Sequence, residues 1–253
     1  MPDLDRLLPE IVALADRAGA VILEHYHGDV AVRAKADASP VTAADEAAEA
    51  VILARLAELT PKIPVVAEET VAAGHVPDLD EGPFWLVDPL DGTKEFLSKN
   101  GEFTVNIALI EGRAPILGVV LAPARARAWW GARGKGAWAR DAEGITRAIA
   151  VRKAPAGLVA IASRSHRDAE TQAFLDQSGV AECISAGSSL KFCLVAEGKA
   201  DLYPRFGRTM EWDVAAGHAV LSAAGGQVTT RDGAPFLYRK PGFENPPFIA
   251  RGA

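Results

Sequence analysis

The sequence predicts a mixed α/β fold, on three observations. Phe84-Trp85-Leu86-Val87 is an apolar run without alternation, as expected of a strand buried on both faces. Leu4, Leu7, Leu8, Ile11, Ala15, Ala18 and Ile22 recur at helical spacing and mark one face of an amphipathic helix. Beyond Gly157, strand-like and helix-like runs alternate, which is the pattern of an α/β unit.

Taken in order, the first helix ends near His25-Tyr26-His27-Gly28, where the two histidines suit a helix C-terminus or plain surface better than a metal. Val32 to Pro40 reads as an irregular polar segment. A second helix opens at Val41-Thr42-Ala43-Ala44-Asp45 and runs to about Leu59. Thr42 and Asp45 have capping-box spacing, so Asp45 is either a cap or a functional acid. Ile63 to Ala67 reads as a short strand ending on Glu68-Glu69.

The strand at Phe84 runs into Asp88-Pro89-Leu90-Asp91-Gly92-Thr93. Pro89 has no N–H to give a ladder, so the strand is expected to stop at Asp88, with Gly92-Thr93 opening a short helix. Phe103 to Ile110 and Ile116 to Leu121 read as paired strands. Ala128-Trp129-Trp130 and Ala137-Trp138-Ala139 flank a glycine-rich loop that lacks P-loop spacing, so a β-hairpin is expected there. A composition shift between Arg147 and Gly157 places a lobe boundary, giving lobes 1–150 and 151–253. The second lobe is expected to hold strand Leu158 to Ala162, helix Ala169 to Gln177, strand Glu182 to Ser185, helix Ser189 to Ala196 and strand Ala200 to Tyr203. A last helix runs from Glu211 to Ala224.

The net charge of −6 and the lack of a basic stripe argue against a nucleic-acid polymer as partner. The two cysteines, Cys183 and Cys193, are not in a C-x-x-C pair; they suggest buried thiols in a reducing compartment and no structural zinc. The N-terminus lacks the pattern of a signal peptide and no apolar run approaches membrane-spanning length, so a cytoplasmic location is expected.

Asp45, Glu68, Asp88, Asp91 and Asp213 all stand at expected element ends. Asp88 and Asp91 also bracket a carbonyl at Leu90 and precede the amides of Gly92 and Thr93. Carboxylates and carbonyls suit a hard divalent cation, and helix-start amides suit a phosphate oxygen. Each acid alone has a plainer reading: Asp91 as a cap, Asp213 as an acid favoured by a helix dipole. If they converge, their mutual repulsion requires a cation, and an all-oxygen set favours Mg²⁺ over zinc.

Glu68-Glu69, Asp88-Pro89-Leu90-Asp91-Gly92-Thr93 and Trp212-Asp213-Val214-Ala215-Ala216-Gly217 resemble the signature of the inositol monophosphatase superfamily. Lys94-Glu95-Phe96-Leu97, Gly101 to Ile110, Ser163-Arg164-Ser165-His166, Gly187 to Cys193 and Leu202 to Phe206 are similar to its 3'(2'),5'-bisphosphate nucleotidase branch of CysQ type. The resemblance extends from Lys35 to Gly226. It implies a layered αβαβα sandwich, made of an α+β lobe carrying most metal ligands and an α/β lobe carrying Asp213 and the nucleotide-binding residues.

The resemblance also implies roles. Glu68, Asp88 and the Leu90 carbonyl would bind a first Mg²⁺, and Asp88, Asp91 and Asp213 a second. Glu68 would help to hold a third, giving two to three ions per site, with inhibition by Li⁺. Asp45, Glu68 and Thr93 would be catalytic, with Asp45 and Thr93 orienting the attacking water. Gly92 and Thr93 amides would hold the phosphate being cleaved. His166, Ser188, Lys191 and Arg205 would bind the nucleotide, with substrate also touching Glu68, Leu90, Asp91 and Asp213. Related eukaryotic nucleotidases carry an acid near Gly187, which leaves the sugar and base contacts open here.

The implied reaction is hydrolysis of adenosine 3',5'-bisphosphate, and of 3'-phosphoadenylyl sulfate, by a cytoplasmic enzyme free or at the inner membrane. Oligomeric state is left open. Two other readings stay in view: an inositol or fructose phosphate phosphatase on the same cluster, and a nucleotide- or metal-sensing binding protein. Lys191 and Arg205 either meet a second phosphate or are ordinary solvated cations.

Overall fold

The computed structural model describes residues 2–28, 32–34, 40–163 and 169–253. Helix α1 (Leu4–Tyr26) is capped by Asp3, whose side chain accepts from the Arg6 amide. The segment expected to be irregular instead contributes an antiparallel pair, β1 (Val32–Ala34) and β2 (Pro40–Thr42). Three-residue strands are too short for periodicity to reveal. Helix α2 (Ala43–Leu59) follows.

Strand β3 (Val65–Ala67) leads into α3 (Glu68–Ala72), so Glu68 begins a helix that its sequence did not announce. Strand β4 (Phe84–Asp91) continues past Pro89, contrary to expectation. It does so through an irregularity: Asp88 pairs with Asn106 and Asp91 with Thr104, and the register shifts between them. A proline is tolerated where the ladder is already broken. Helix α4 (Thr93–Leu97) comes next, then β5 (Thr104–Glu111), β6 (Ala114–Ala122), β7 (Arg127–Ala132), β8 (Gly136–Arg140) and β9 (Thr146–Ile149). The glycine-rich loop joins β7 and β8 in an antiparallel hairpin, as expected.

The remaining elements are β10 (Leu158–Ser163), α5 (Ala169–Gln177), β11 (Val180–Ala186), α6 (Leu190–Ala196), β12 (Leu202–Arg205), α7 (Glu211–Ala223), β13 (Gln227–Thr230) and β14 (Phe248–Arg251). Neither of the last two strands was expected: β13 directly follows Gly225-Gly226, and a stretch with four prolines separates it from β14.

These elements stack in five layers. Helices α1 and α2 cover one face of a seven-stranded sheet of order β3-β4-β5-β6-β7-β8-β9. Helices α6 and α7 fill the space between its other face and a five-stranded sheet of order β11-β10-β12-β14-β13. Helix α5 covers the outside of the second sheet, where Ala160, Ala162, Leu175, Leu202 and Ile249 form a smaller core. Alternation along β10 explains the division: Ile161 faces the central helices and its neighbours face α5. The layered αβαβα arrangement is therefore present.

Helix α7 carries the two sheets' shared core. It lies against β5, β6 and β7 closely enough that a Cβ on Gly118 would sit 2.5 Å from the Ala216 carbonyl oxygen. That approach brings the start of α7 beside the end of β4. Of the two thiols expected to be buried, Cys193 is buried in α6, while Cys183 is half-buried on the edge strand β11. An edge strand is covered on one side only, which exposes it.

Candidate active site

Three acids from three elements meet near the carboxyl ends of β3 and β4, the parallel pair of the seven-stranded sheet. Glu68 opens α3, Asp88 lies in β4 and Asp213 sits in the first turn of α7. One carboxylate oxygen of each lies within 4.8 Å of the others. Among the described residues this is the one group of side chains placed to share a metal ion. Its donors are all oxygens, and Asp88 is buried while Glu68 and Asp213 are half-buried, a set that suits a hard divalent cation.

Local chemistry sets each acid. Asp88 Oδ1 accepts from the Leu90 amide at 3.0 Å, closing a turn across Pro89 and leaving Pro89 and Leu90 outside the strand pairing. Asp213 Oδ2 accepts from the Met210 amide at 2.8 Å, so this first-turn acid also caps its helix, a role beyond the expected dipole contact. Glu68 is placed through its neighbours. The Glu69 and Thr70 amides donate to Glu49 at 2.8 Å each, and the Thr70 hydroxyl donates at 2.6 Å. Glu49 was missed in the sequence, although it stands one helical turn after Asp45 on α2.

Asp91 is the fourth acid and reaches the cluster electrostatically. Burial raises its carboxyl, opposed by the Lys191 charge and a hydrogen bond from Ser189; Glu95 and Glu68 add to the rise. Burial also pushes Asp213 well above the usual carboxylate range, reinforced by Asp91 and Glu68. The acids therefore form one interacting group, as a shared cation would require.

Gly92 has φ +92°, and a Cβ there would lie 2.2 Å from Ser188 Oγ. Only glycine fits this bend, which starts α4 directly after Asp91. Asp45 is almost fully buried, and its Oδ2 accepts from the Thr42 amide at 2.8 Å and the Thr42 hydroxyl at 2.6 Å. The cap is thus formed. Helix α4 also packs against β2, which sets the starts of α2 and α4 side by side and brings Asp45 and Thr93 to neighbouring elements.

On the other rim, Ser188 adopts a left-handed conformation, φ +49°, and its hydroxyl donates to the Asp91 carbonyl at 2.8 Å. Lys191 is not a solvated cation: it is 4% exposed, and its Nζ donates to the carbonyls of Ser188 at 2.6 Å and Ala186 at 3.4 Å. Burial, against the pull of Asp91 and with a push from Arg205, lowers its ammonium to about 8. Arg205 is half-buried and donates to the Arg208 carbonyl at 3.2 Å. Below them Glu102 accepts from the Gly187 amide at 2.7 Å and from Arg125 at 2.8 Å. His166, with Arg164 and Ser165, lies outside the described residues.

Sequence reasoning also missed Glu211, fully buried at the start of α7. It accepts from the Arg239 and Lys240 amides at 3.0 and 2.8 Å and pairs with the Lys240 ammonium at 2.6 Å. It ties the C-terminal stretch to the helix that carries Asp213. Its neighbour Asp213 drew the attention because it completes a motif, whereas a buried acid meeting distant amides leaves no local pattern.

This arrangement has known relatives. The 3'(2'),5'-bisphosphate nucleotidase CysQ of Escherichia coli O6:H1 is 52% identical over 245 residues, covering 96% of this chain and 98% of that protein. The crystal structure of CysQ from Bacteroides thetaiotaomicron superposes with TM-score 0.80 at 38% identity, covering 95% of each chain. The inositol monophosphatase of Anabaena gives TM-score 0.79 at 28% identity, covering 100% of this chain and 92% of its own. The pattern of the inositol monophosphatase family runs through residues 3–249, from the first helix through the acid cluster to the last strand, and the chain belongs to that family.

Proposed function

We propose that this protein is a Mg²⁺-dependent 3'(2'),5'-bisphosphate nucleotidase that hydrolyses adenosine 3',5'-bisphosphate to AMP and phosphate, and 3'-phosphoadenylyl sulfate to adenylyl sulfate. The observation that carries the chemistry is the convergence of Glu68, Asp88 and Asp213. Similarity to the CysQ nucleotidases supports the substrate class.

Glu68, Asp88, the Leu90 carbonyl, Asp91 and Asp213 would hold the ions. Bound Mg²⁺ supplies charge neutralisation at the phosphoryl oxygens and a water acidic enough to attack at neutral pH. The chain's own residues do the rest. The amides of Gly92 and Thr93 hold the phosphate to be cleaved, at a bend only glycine permits. Asp45 and the Thr93 hydroxyl orient the water for in-line attack. Positioning and charge stabilisation suffice for phosphoryl transfer, so no protein nucleophile is needed.

Arg205 lies close enough for its charge to lower the Lys191 ammonium, and two cations so placed favour a substrate with a second phosphate. That observation supports the nucleotide over an inositol monophosphate. Ser188 and His166 complete the nucleotide side in this reading. Li⁺, near Mg²⁺ in size with half its charge, is expected to inhibit.

No helix among the described residues is long and apolar enough to cross a membrane. The test is phosphate release with Mg²⁺ from adenosine 3',5'-bisphosphate, 3'-phosphoadenylyl sulfate and inositol 1-phosphate, repeated with LiCl against NaCl at equal ionic strength. The reading expects the two nucleotides to turn over fastest and LiCl alone to inhibit. Preference for the inositol phosphate would overturn the substrate assignment, and no release from any of them would favour a binding protein.

A further inference from the structure

Asp91 and Asp213 come from different layers. Asp91 ends a strand of the seven-stranded sheet, and Asp213 starts a helix between the sheets. Mg²⁺ demands near-ideal octahedral geometry, so ligands from separate elements need a device that fixes their spacing.

Ser189 stands between them. It is 1% exposed and immediately precedes α6. Its Oγ lies 3.1 Å from Asp91 Oδ2 and 2.8 Å from the Asp213 carbonyl oxygen. Asn106 Nδ2, from β5, donates to the same Oγ at 2.9 Å and approaches Asp91 Oδ2 at 3.4 Å. Asn106 is itself 1% exposed, and its Oδ1 is buried without a hydrogen-bond partner among the described residues. The amide is therefore turned to serve Ser189 and Asp91 at the expense of its own carbonyl.

A hydroxyl has one proton and accepts through its lone pairs. Asn106 occupies the acceptor side of Oγ and fixes its position. The single proton then has two acceptors, Asp91 Oδ2 and the Asp213 carbonyl, and serves one at a time. This permits the hydroxyl to yield Asp91 Oδ2 to a cation while keeping its hold on the backbone of α7.

We propose that Ser189, fixed by Asn106, is a positioning residue that sets Asp91 and Asp213 at metal-binding separation and makes them act as one unit. The proposal rests on the reading that these acids hold the metal. Its consequence is felt in metal affinity, since outer partners of metal ligands typically control about 10–100-fold of binding. Substrate affinity at saturating metal should be spared.

The experiment measures Mn²⁺ binding by electron paramagnetic resonance in the wild type, Ser189→Ala and Ser189→Thr. Melting in EDTA and substrate KM at saturating Mg²⁺ are measured alongside. Ser189→Ala is expected to weaken Mn²⁺ binding about tenfold or more, raise the Mg²⁺ needed for half-maximal rate in step, and leave substrate KM and EDTA melting near wild type. Ser189→Thr, which keeps the Oγ, is expected to bind Mn²⁺ nearly as well as wild type. Wild-type Mn²⁺ affinity in Ser189→Ala would overturn the proposal. So would a loss in both variants accompanied by lower melting in EDTA, which would mark a packing role. A wild type that binds no Mn²⁺ would instead remove the metal reading itself, and the proposal with it.

Discussion

The backbone amide and the hydroxyl of Thr70 both donate to Glu49 Oε1, at 2.8 and 2.6 Å. With the Glu69 amide on Oε2, a single buried carboxylate closes the start of α3 and thereby fixes where Glu68 stands. Glu49→Ala would leave two amides without their acceptor. The expected cost is about 2–4 kcal/mol of stability, because hydrogen bonds to a charged group contribute about 1.5–3 kcal/mol and unmet donors carry their own penalty. Urea unfolding in EDTA checks the stability, and the Mg²⁺ concentration for half-maximal rate should rise as Glu68 loosens. A variant as stable as wild type with an unchanged Mg²⁺ requirement would show that α3 holds Glu68 without Glu49.

A second prediction concerns pH. Burial alone would raise the Glu197 carboxyl, but hydrogen bonds from Lys199 and Trp129 and the charge of Arg127 outweigh it and hold the group below its ordinary 4.5. A carboxyl depressed in the folded state contributes stability that is present above its unfolded value. That stability is lost as pH falls through the folded value. Glu197 links α6 to Arg127 and Trp129 in β7, so protonation weakens the contact between the central helices and the first sheet. Unfolding free energy measured from pH near 6 down to about 3 should fall in the wild type, and its slope should be shallower in Glu197→Gln. Equal slopes would exclude Glu197 as a contributor.

The two cations proposed to meet the second phosphate should behave differently. Lys191 spends two of its three N–H groups on the Ser188 and Ala186 carbonyls, so it also shapes the turn whose Ser188 hydroxyl meets the Asp91 carbonyl. Lys191→Ala should therefore lower kcat/KM on both adenosine 3',5'-bisphosphate and adenosine 3'-monophosphate, and lower it further on the bisphosphate. Arg205→Ala should lower it by about tenfold to a hundredfold on the bisphosphate, the worth of one charge-assisted contact, with little change on the monophosphate. Parallel losses for Arg205→Ala on both substrates would remove it from the second phosphate.

Much of the fold was legible because its strongest signals are local. The periodic face of α1, the buried run of β4 and the alternation after Gly157 each belong to one contiguous stretch. The acid cluster was readable for a related reason: its members stand at element ends within a recognisable motif. Other features depended on partners far along the chain. Pro89 sits inside a strand only because β5 accommodates the register break opposite it. The solvated-cation reading of Lys191 stayed open because nothing in Ser189-Leu190-Lys191 says that its Nζ will lie 5.3 Å from the Tyr203 ring in a buried site. Glu49, Ser189 and Glu211 act on amides and carbonyls brought to them from about 20 or more residues away, and backbone groups carry no sequence signal.

In the proposed function Asp91 joins Glu68, Asp88 and Asp213 in a metal site that performs phosphate hydrolysis. It is tested most directly by phosphate release from adenosine 3',5'-bisphosphate at saturating Mg²⁺ in Asp91→Asn beside the wild type, with melting in EDTA as the folding control. A neutral amide is a poor Mg²⁺ ligand, so the loss should be about a thousandfold or more, equivalent to about 4 kcal/mol of transition-state stabilisation. Melting should remain near wild type or rise, since a half-buried carboxylate crowded by Glu95 and Glu68 has been neutralised. A folded Asp91→Asn that releases phosphate at close to the wild-type rate would contradict the account.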